Sequence, residues 1–270
     1  MTPIVTAQES EIPSVDWLGA PLDCTCCTVR ATESDPPVRC EAGHACVQDR
    51  YARRIDRFFR WNPQQGNAWL AHPYFEVRAI ACRHADVFRL QPLVEDEDET
   101  VRLSVALRLP LAQAARMSKD PHREVRIRVA MRLDGSALMA MRDDPDYYVR
   151  KLVARNAPAA LLPRLMQDPD AEVRIEVARR LQMPELLALR DDPEVAVRRE
   201  VVRRLPLALL ASMAGDPAWE VRCELLERAD ALLVARLARE DGEPEVRTMA
   251  ARRLQELAAT AAASRGPGHG

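Results

Sequence analysis

The sequence predicts an all-α fold: a helical solenoid of 24-residue repeats, preceded by a small cysteine-rich metal-cluster domain. Two observations lead to this prediction. A Val-Arg pair returns every 24 residues between Val77-Arg78 and Val221-Arg222, with one further copy, a residue late, at Val246-Arg247. A fixed period of this length is typical of stacked supersecondary units. In addition, five of the seven cysteines lie within residues 24–46, ahead of the first repeat.

The first half of each repeat predicts an α-helix. Most repeats open with an Asp-Pro pair, whose carboxylate can cap free amides and whose proline suits the first helical position. With this Asp as position zero, positions five, nine and thirteen are apolar, as in Val125, Val129 and Leu133. Apolar residues four apart indicate a three-turn helix with one buried face. In the second repeat an acidic run, residues 95–99, replaces the Asp-Pro pair.

The second half of each repeat has a different spacing. Positions 15, 18 and 21 are largely apolar, as in Leu207, Leu210 and Met213. A spacing of three predicts a short, tightly wound helix of the 3₁₀ type. Each repeat should therefore alternate an α-helix with a short helix, and neighbours must stack because a lone repeat cannot bury its apolar face.

Three regions follow from these patterns. We predict a cysteine-rich module over residues 1–70, eight repeats over 71–260, and a disordered tail over 261–270, where the sequence becomes rich in glycine. Large aromatic residues concentrate near the boundary between module and repeats, where we expect them to pack in a core. These aromatic residues are Tyr51, Phe58, Phe59, Trp61, Trp69, Tyr74, Phe75 and Phe88.

Charge and hydropathy exclude several classes of protein. The chain has 39 basic and 41 acidic residues, which argues against a sequence-blind nucleic-acid binder. No stretch approaches about 18 uninterrupted apolar residues, so we expect no membrane span. Glu9, Glu11 and Asp16, without a basic and apolar leader, argue against a secretory signal. We therefore predict a cytoplasmic protein, in which clustered thiols indicate metal binding or catalysis rather than disulfides.

The cysteine cluster predicts a metal centre with four thiolate ligands. Zinc takes four tetrahedral donors, and three of these thiolates with His44 would also satisfy it. Iron–sulfur clusters equally take four thiolates. Only one C-x2-C pair is present, and the gap before Cys46 suits a bulkier cluster, so both metals stay open. Cys26 is the spare thiol, or a substitute for one of the first pair. The predicted ligands are Cys24, Cys27, Cys40 and Cys46.

These motifs resemble a known family. The unit D-P-x-x-x-V-R-x-x-V-A-x-R-L resembles the leucine-rich repeat variant (LRV) proteins. The run L-D-C-T-C-C, followed by R-C-E-A-G-H-A-C-V-Q-D-R-Y, resembles the iron–sulfur module that precedes such repeats in nitrogen-fixing bacteria. The resemblance implies a four-iron, four-sulfur (4Fe-4S) cluster on the four predicted cysteines. It also implies a right-handed superhelix of alternating α- and 3₁₀-helices, without a sheet.

Arginine recurs in fixed columns of the repeat. Position six is Arg in all eight copies, from Arg78 to Arg247. We predict a ladder between repeats, in which each guanidinium meets position-zero carboxylates or helix-end carbonyls. Arginines at positions 11 and 12 are expected to face solvent and are the candidates for an anionic partner. These candidates are Arg132, Arg155, Arg179, Arg180, Arg203 and Arg204. A further basic face, Arg50, Arg53, Arg54 and Arg57, is either solvated or offsets the charge of a cluster.

The sequence therefore favours a non-enzymatic binding protein. Outside the repeat register we find no nucleophile–base pair, phosphate loop or paired carboxylates. The first hypothesis is an iron–sulfur protein whose solenoid binds a protein partner, as a redox or iron sensor or a scaffold; the resemblance implies a link to nitrogen fixation. Electron transfer is the second hypothesis, and nucleic-acid binding along the arginine rows is the third and less favoured one.

Overall fold

The structure is a computed structural model that describes residues 12–31 and 37–263. Glu9 and Glu11, used above to argue against a secretory signal, lie outside these residues, as does 264–270 of the predicted tail. The chain divides into two compact units, Met1–Leu133 and Asp134–Gly270. Among the helices described, none has the length and apolar character needed to cross a membrane.

The first unit consists of short helices joined by turns. Its α-helices are α1 (Thr28–Ala31), α2 (Ala52–Trp61), α3 (Phe75–Ala81), α4 (Glu99–Arg108), α5 (Leu111–Ala114) and α6 (Arg123–Arg132). Its 3₁₀ helices are Pro63–Trp69, Val87–Arg89, Gln91–Glu95 and Ala115–Lys119. In place of strands, the described part has two isolated β-bridges, Val15 with Pro21 and Glu41 with Ala45.

The second unit continues the same pattern. Its α-helices are α7 (Gly135–Met139), α8 (Tyr147–Asn156), α9 (Ala171–Arg180), α10 (Val195–Arg204), α11 (Trp219–Leu226), α12 (Ala231–Glu240) and α13 (Pro244–Ala263). Its 3₁₀ helices are Ala159–Leu165, Glu185–Leu189 and Leu207–Met213. The predicted all-α solenoid, with α-helices alternating with short 3₁₀ helices, is confirmed. In two of the described repeats the second element is instead an α-helix, α7 or α12, and in a third α5 precedes the 3₁₀ helix Ala115–Lys119. The first residues of the predicted tail, 261–263, belong to α13.

The buried positions follow the predicted register in the first half of each repeat. Val125 and Val129 are completely buried, and Leu133 is nearly so. In the second half, positions 18 and 21 are buried, as Leu210 and Met213 show. Position 15 is not, because Leu207 is 65% exposed at the outer start of its 3₁₀ helix. The spacing of three therefore indicates the 3₁₀ helix correctly, but only two of the three apolar positions are buried.

The Asp-Pro pair does not begin the α-helix, contrary to the prediction. Helix α6 begins at Arg123, three residues after Asp120, and α8 begins at Tyr147, three residues after Asp144. Asp120 instead ends the preceding 3₁₀ helix, and its Oδ1 accepts a hydrogen bond from the His122 N–H at 2.8 Å. The carboxylate thus stabilises a turn before the helix, and this position leaves it facing the preceding repeat.

The predicted arginine ladder is confirmed. Arg102 Nε and Nη2 donate to the two carboxylate oxygens of Asp120 at 2.8 and 3.0 Å, while its Nη1 donates to the Asp96 carbonyl at 2.8 Å. Each position-six arginine of this kind joins its own turn to the turn of the next repeat. Asp96, in the acidic run, accepts the corresponding pair of bonds from Arg78 at 2.9 and 2.8 Å. The second repeat, which lacks the Asp-Pro pair, therefore still supplies a carboxylate to the ladder.

The cysteine-rich segment and the first repeat share one apolar core. Phe58 and Phe59 of α2 are fully buried against Val77 and Ile80 of α3. Cys27, Cys40, Trp69 and Tyr74 pack against the same cluster as partly buried residues. Residues on both sides of position 70/71 thus pack in one core, and the domain boundary placed there stays a prediction.

Candidate metal centre

Cys40 and Cys46 lie on either side of one tight turn. Glu41 and Ala45 exchange main-chain hydrogen bonds, each N–H donating to the other's carbonyl at 2.8 Å. Gly43, in the bend, has a φ of +71°, a left-handed conformation that favours glycine. Because the bridge pairs residues 41 and 45, the two cysteines just outside it leave the turn at the same end. The turn thus brings Cys40 and Cys46 to the same side although five residues separate them in sequence.

The first cysteines lie in a second turn. Asp23 Oδ1 accepts hydrogen bonds from the Thr25 N–H at 2.8 Å and from its hydroxyl at 2.6 Å, which winds the chain ahead of α1. Cys24 and Cys27 are half-buried, whereas Cys26 is exposed, with its Sγ 3.9 Å from the Asp23 carbonyl oxygen. The two outer cysteines of this turn are thus less exposed than the middle one.

The two turns bring their thiols into one electrostatic environment. Burial raises the pKa of the Cys40 thiol; the Arg30 guanidinium lowers it, and the nearby Cys27 and Cys24 raise it further. Burial raises the pKa of Cys46 to about 11, and Cys27 contributes in the same direction. The four predicted ligands therefore form one neighbourhood, although they come from segments separated by the undescribed residues 32–36.

The arrangement differs from a site for a single ion. In the described part of the chain, no three Cys, His, Asp or Glu side chains are close enough to hold one metal ion. Tetrahedral zinc requires four donors within about 2.3 Å of one point. A 4Fe-4S cluster places its four cysteines on different iron atoms, so their sulfurs stand farther apart. The four predicted ligands supply the thiols that such a cluster requires, and all four are half-buried. The zinc alternative gains no support.

The predicted basic face after the cysteines is not a single surface. Arg54 is buried and donates to Asp49 Oδ2 at 3.0 Å and to the Ile12 carbonyl at 2.7 Å. Arg57 is half-buried, and its Nη1 donates to the His44 carbonyl at 2.6 Å and to His44 Nδ1 at 3.1 Å. Arg57 therefore fixes the main chain of the turn between Cys40 and Cys46, while Arg54 joins Asp49 to the main chain at Ile12.

The position-12 arginines bind the ends of neighbouring helices. Arg204 Nη1 donates to the carbonyls of Ala178 and Leu181, at 2.7 and 2.6 Å, at the C-terminal end of α9. Arg180 does the same to the Ala154 carbonyl at 2.8 Å, and Arg132 to the carbonyls of Ala106 and Leu109. These side chains are half-buried rather than fully exposed. They satisfy carbonyls that a helix end leaves without an intrahelical partner.

The position-11 arginines are exposed but paired with carboxylates of their own or the next repeat. Arg155 and Arg179 both donate to Glu176, at 2.8 and 3.0 Å, and Arg203 donates to both oxygens of Glu224 at 2.7 and 2.9 Å. Carboxylates of this chain thus occupy the guanidinium groups that we assigned to an anionic partner. The anionic binding surface stays a prediction.

Asn62, which no sequence pattern singled out, contacts the residue before Cys40. Its side chain is fully buried at the C-terminal end of α2. Oδ1 accepts from the Arg39 N–H at 2.8 Å, and Nδ2 donates to the Arg39 carbonyl at 2.8 Å. A single asparagine outside the repeat register carries no periodic signal, so only the structure identifies its contact with the residue before Cys40.

Comparisons with known proteins agree with this organisation. Residues 14–68 match a family described as LRV protein FeS4 cluster, and residues 147–170 match one described as leucine rich repeat variant. The chain is 47% identical over 100 residues to an "Uncharacterized 27.7 kDa protein in nifB 3'region" of Rhodobacter capsulatus. That alignment covers 37% of this chain and 40% of the relative's length.

A solved structure extends the similarity to most of the chain. It is described as a leucine-rich repeat variant with a novel repetitive protein structural motif, and it superimposes with a TM-score of 0.79. The sequences are 42% identical, and the match covers 86% of this chain and 99% of that one. On this evidence, the chain belongs to the leucine-rich repeat variant family.

Proposed function

We propose that this chain binds a 4Fe-4S cluster and that its repeats bind a protein partner, without enzymatic activity. The proposed ligands are Cys24, Cys27, Cys40 and Cys46. One observation carries the proposal: two turns hold these four thiols half-buried, with Cys27 and Cys40 packed against one apolar core, while Cys26 faces solvent. The match of residues 14–68 to an FeS4-cluster family supports iron and sulfide as the bound species.

The residues around the thiols suit an anionic cluster. A bound cluster would supply one-electron redox chemistry. Arg30 brings positive charge near Cys40, and the apolar side chains of Val29 and Val47 limit the access of water on the core side. Hydrogen bonding, burial and nearby charge are the means by which a protein sets the potential of such a centre.

The partner half of the proposal rests on the second unit. Stacked repeats present extended surfaces, and two leucines on this unit are far more exposed than its core, Leu207 at 65% and Leu232 at 80%. Both line a groove of about 430 Å³ whose charged lining residues are Asp230, Arg236, Arg239 and Glu240. A protein segment with apolar side chains would complement the two exposed leucines. The Rhodobacter capsulatus relative is named for its place in the nifB 3' region, which supports a nitrogen-fixation context for the partner.

The metal is tested by anaerobic purification followed by a visible spectrum and assays for iron, sulfide and zinc. We expect a brown protein with about four iron and about four sulfide per chain. The Cys40→Ser variant should lose most of the iron and sulfide. Cys26→Ser is the matched control, because it removes a thiol from the same turns and should keep both.

Three results would count against the metal assignment. A colourless protein with one zinc per chain would show that the site holds a structural zinc ion instead of the cluster. Loss of iron in Cys26→Ser, with retention in Cys24→Ser, would show that Cys26 is the ligand and Cys24 the spare thiol. Full iron content in Cys40→Ser would remove the proposed ligand set.

The partner is tested by affinity purification from an extract of nitrogen-fixing cells. Leu232→Glu, which places a charge in the groove, should reduce recovery of the bound protein, while Leu18→Glu, at a second exposed leucine, should not. Equal recovery with both variants would remove the groove as the binding surface. Reversible one-electron reduction of the purified protein, followed by EPR and voltammetry, separates electron transfer from a scaffold role.

A further inference from the structure

We propose that Asn62 is a positioning residue for the cluster, because its side chain fixes the main chain immediately before Cys40. The inference rests on the proposed function, since it assigns Cys40 as a ligand. Asn62 is a polar side chain with no exposed surface, located directly after α2. A buried amide of this kind is costly unless its donors and acceptor are all satisfied.

The hydrogen bonds of Asn62 are complete and fix the orientation of its amide. Oδ1 accepts from the Arg39 N–H at 2.8 Å. Nδ2 donates to the carbonyls of Arg39, at 2.8 Å, and Phe58, at 2.7 Å. A main-chain N–H can only donate and a carbonyl can only accept, so the amide cannot be turned over. One side chain thus performs for residue 39 the pairing that a neighbouring β-strand would provide.

Arg39 is held from its side chain as well as from its main chain. Residues 37–40 belong to no helix or strand. The Arg39 guanidinium lies over the ring of Trp61, 5.3 Å from the ring centre. Consecutive residues at the end of α2 therefore hold both parts of Arg39. Since Cys40 is the next residue, the end of α2 determines where its thiol enters the cysteine neighbourhood.

The inference is tested with Asn62→Ser and a matched control, Asn67→Ser. A serine hydroxyl can still donate to the carbonyl four residues earlier, that of Phe58, but is too short to pair with Arg39. Asn67 makes a similar two-way clamp in the same unit, on Asp86, with bonds of 2.6 and 2.9 Å. Asn67→Ser therefore removes a comparable pair of hydrogen bonds from a segment without predicted ligands.

Two measurements are made on the full chain. In the anaerobically purified protein, Asn62→Ser should release iron to a chelator roughly tenfold faster than wild type, as is usual for a lost supporting contact. Its reduced cluster should also show a changed EPR signal and midpoint potential. In the metal-free protein, Cys40 should be alkylated severalfold faster in Asn62→Ser, with exposed Cys26 as the internal reference. Asn67→Ser should match wild type in both measurements.

The outcomes distinguish this inference from the proposed function. A wild-type protein without iron and sulfide would overturn the proposed function, and the alkylation rate of Cys40 would still decide whether Asn62 holds that residue. A loaded wild type, with Asn62→Ser equal to Asn67→Ser in both measurements, would overturn the inference alone. Asn62→Asp, which turns both donors into acceptors facing carbonyls, should exceed Asn62→Ser in both effects; if it does not fold, the serine variant decides.

Discussion

Arg174 and Asp192 form a bidentate ion pair across two repeats. Arg174 Nε lies 2.7 Å from Oδ2 and Nη2 lies 2.9 Å from Oδ1, although the residues are 18 positions apart in sequence. The same guanidinium donates through Nη1 to the Asp168 carbonyl at 2.8 Å. Arg150, Arg198 and Arg222 form equivalent pairs. Within the second unit, these pairs tie one repeat to the next by charged contacts that are almost completely withdrawn from water.

Loss of this arginine should cost much more than loss of an exposed one. The Arg174 and Asp192 side chains are 11% and 4% exposed. Arg174→Ala would leave a buried carboxylate without its partner, so we expect the free energy of unfolding to fall by about 3–5 kcal/mol. Arg179→Ala, at a position 48% exposed, should cost about 1 kcal/mol or less. Urea denaturation measures both, and equal losses would contradict a special role for the ladder.

Two adjacent arginines on α10 should behave differently. Arg204 donates to two carbonyls at the end of α9, whereas Arg203 is paired with Glu224 at the surface. We expect Arg204→Ala to lower the free energy of unfolding by about 1–3 kcal/mol, because buried acceptors lose their donor. Arg203→Ala should change it by about 1 kcal/mol at most. A larger effect at Arg203 would show that the helix-end bonds are unimportant.

Gly66 should not tolerate a methyl group. A Cβ at this position would lie 2.6 Å from the Ala85 nitrogen and 2.6 Å from the His84 carbonyl carbon, which are main-chain atoms that cannot easily move. We expect Gly66→Ala to cost about 1–3 kcal/mol through overpacking. Gly215→Ala is the control, since a Cβ there meets nothing within 4 Å. Thermal unfolding compares them, and similar midpoints would disprove the close contact.

His84 should make stability depend on pH near neutrality. Burial lowers the pKa of His84 below its ordinary value of 6.5, and its ring stacks on Phe59 with centroids 5.7 Å apart. The unfolded chain therefore takes up the proton first as the pH falls. The contribution of His84 to the free energy of unfolding is complete above the unfolded pKa and is lost as the pH falls towards the folded one.

The variant His84→Phe keeps a stacking ring and removes this titration. Denaturant unfolding between about pH 8 and about pH 5 should give a shallower slope for the variant than for wild type. Burial also lowers the pKa of His72, so part of the slope should remain. An unchanged slope in His84→Phe would show that His84 does not contribute.

The repeat made most of the fold predictable. Because the same apolar spacing occurs in copy after copy, the buried faces at Val125 and Val129 could be assigned without any structure. The role of Asp120 was misjudged because a carboxylate before a proline can serve either a helix start or a distant arginine. Its partner Arg102 is 18 residues away, a separation that becomes a contact only when repeats stack. Phe88, grouped with the core aromatics, is 89% exposed.

The site was less predictable than the fold. Cysteine spacing identified the thiols of interest, but the contacts that hold them involve main-chain atoms, which sequence letters do not encode. The position-12 arginines illustrate the same limit, since the acceptors of Arg180 and Arg204 are helix-end carbonyls. Asn62 lacks both a motif and a period, and its importance depends on the path of residue 39.

The shared core of the first unit has a mechanical consequence. The first repeat of a stack has an apolar face without a preceding repeat, and this face must be capped to exclude water. Val77 and Ile80 of the first repeat are covered by Phe58 and Phe59, and Cys27 and Cys40 rest on the same cluster. The segment that carries the cysteines is thus also the N-terminal cap of the first repeat. A shift in the position of the sulfurs would therefore be transmitted to that repeat through the shared core.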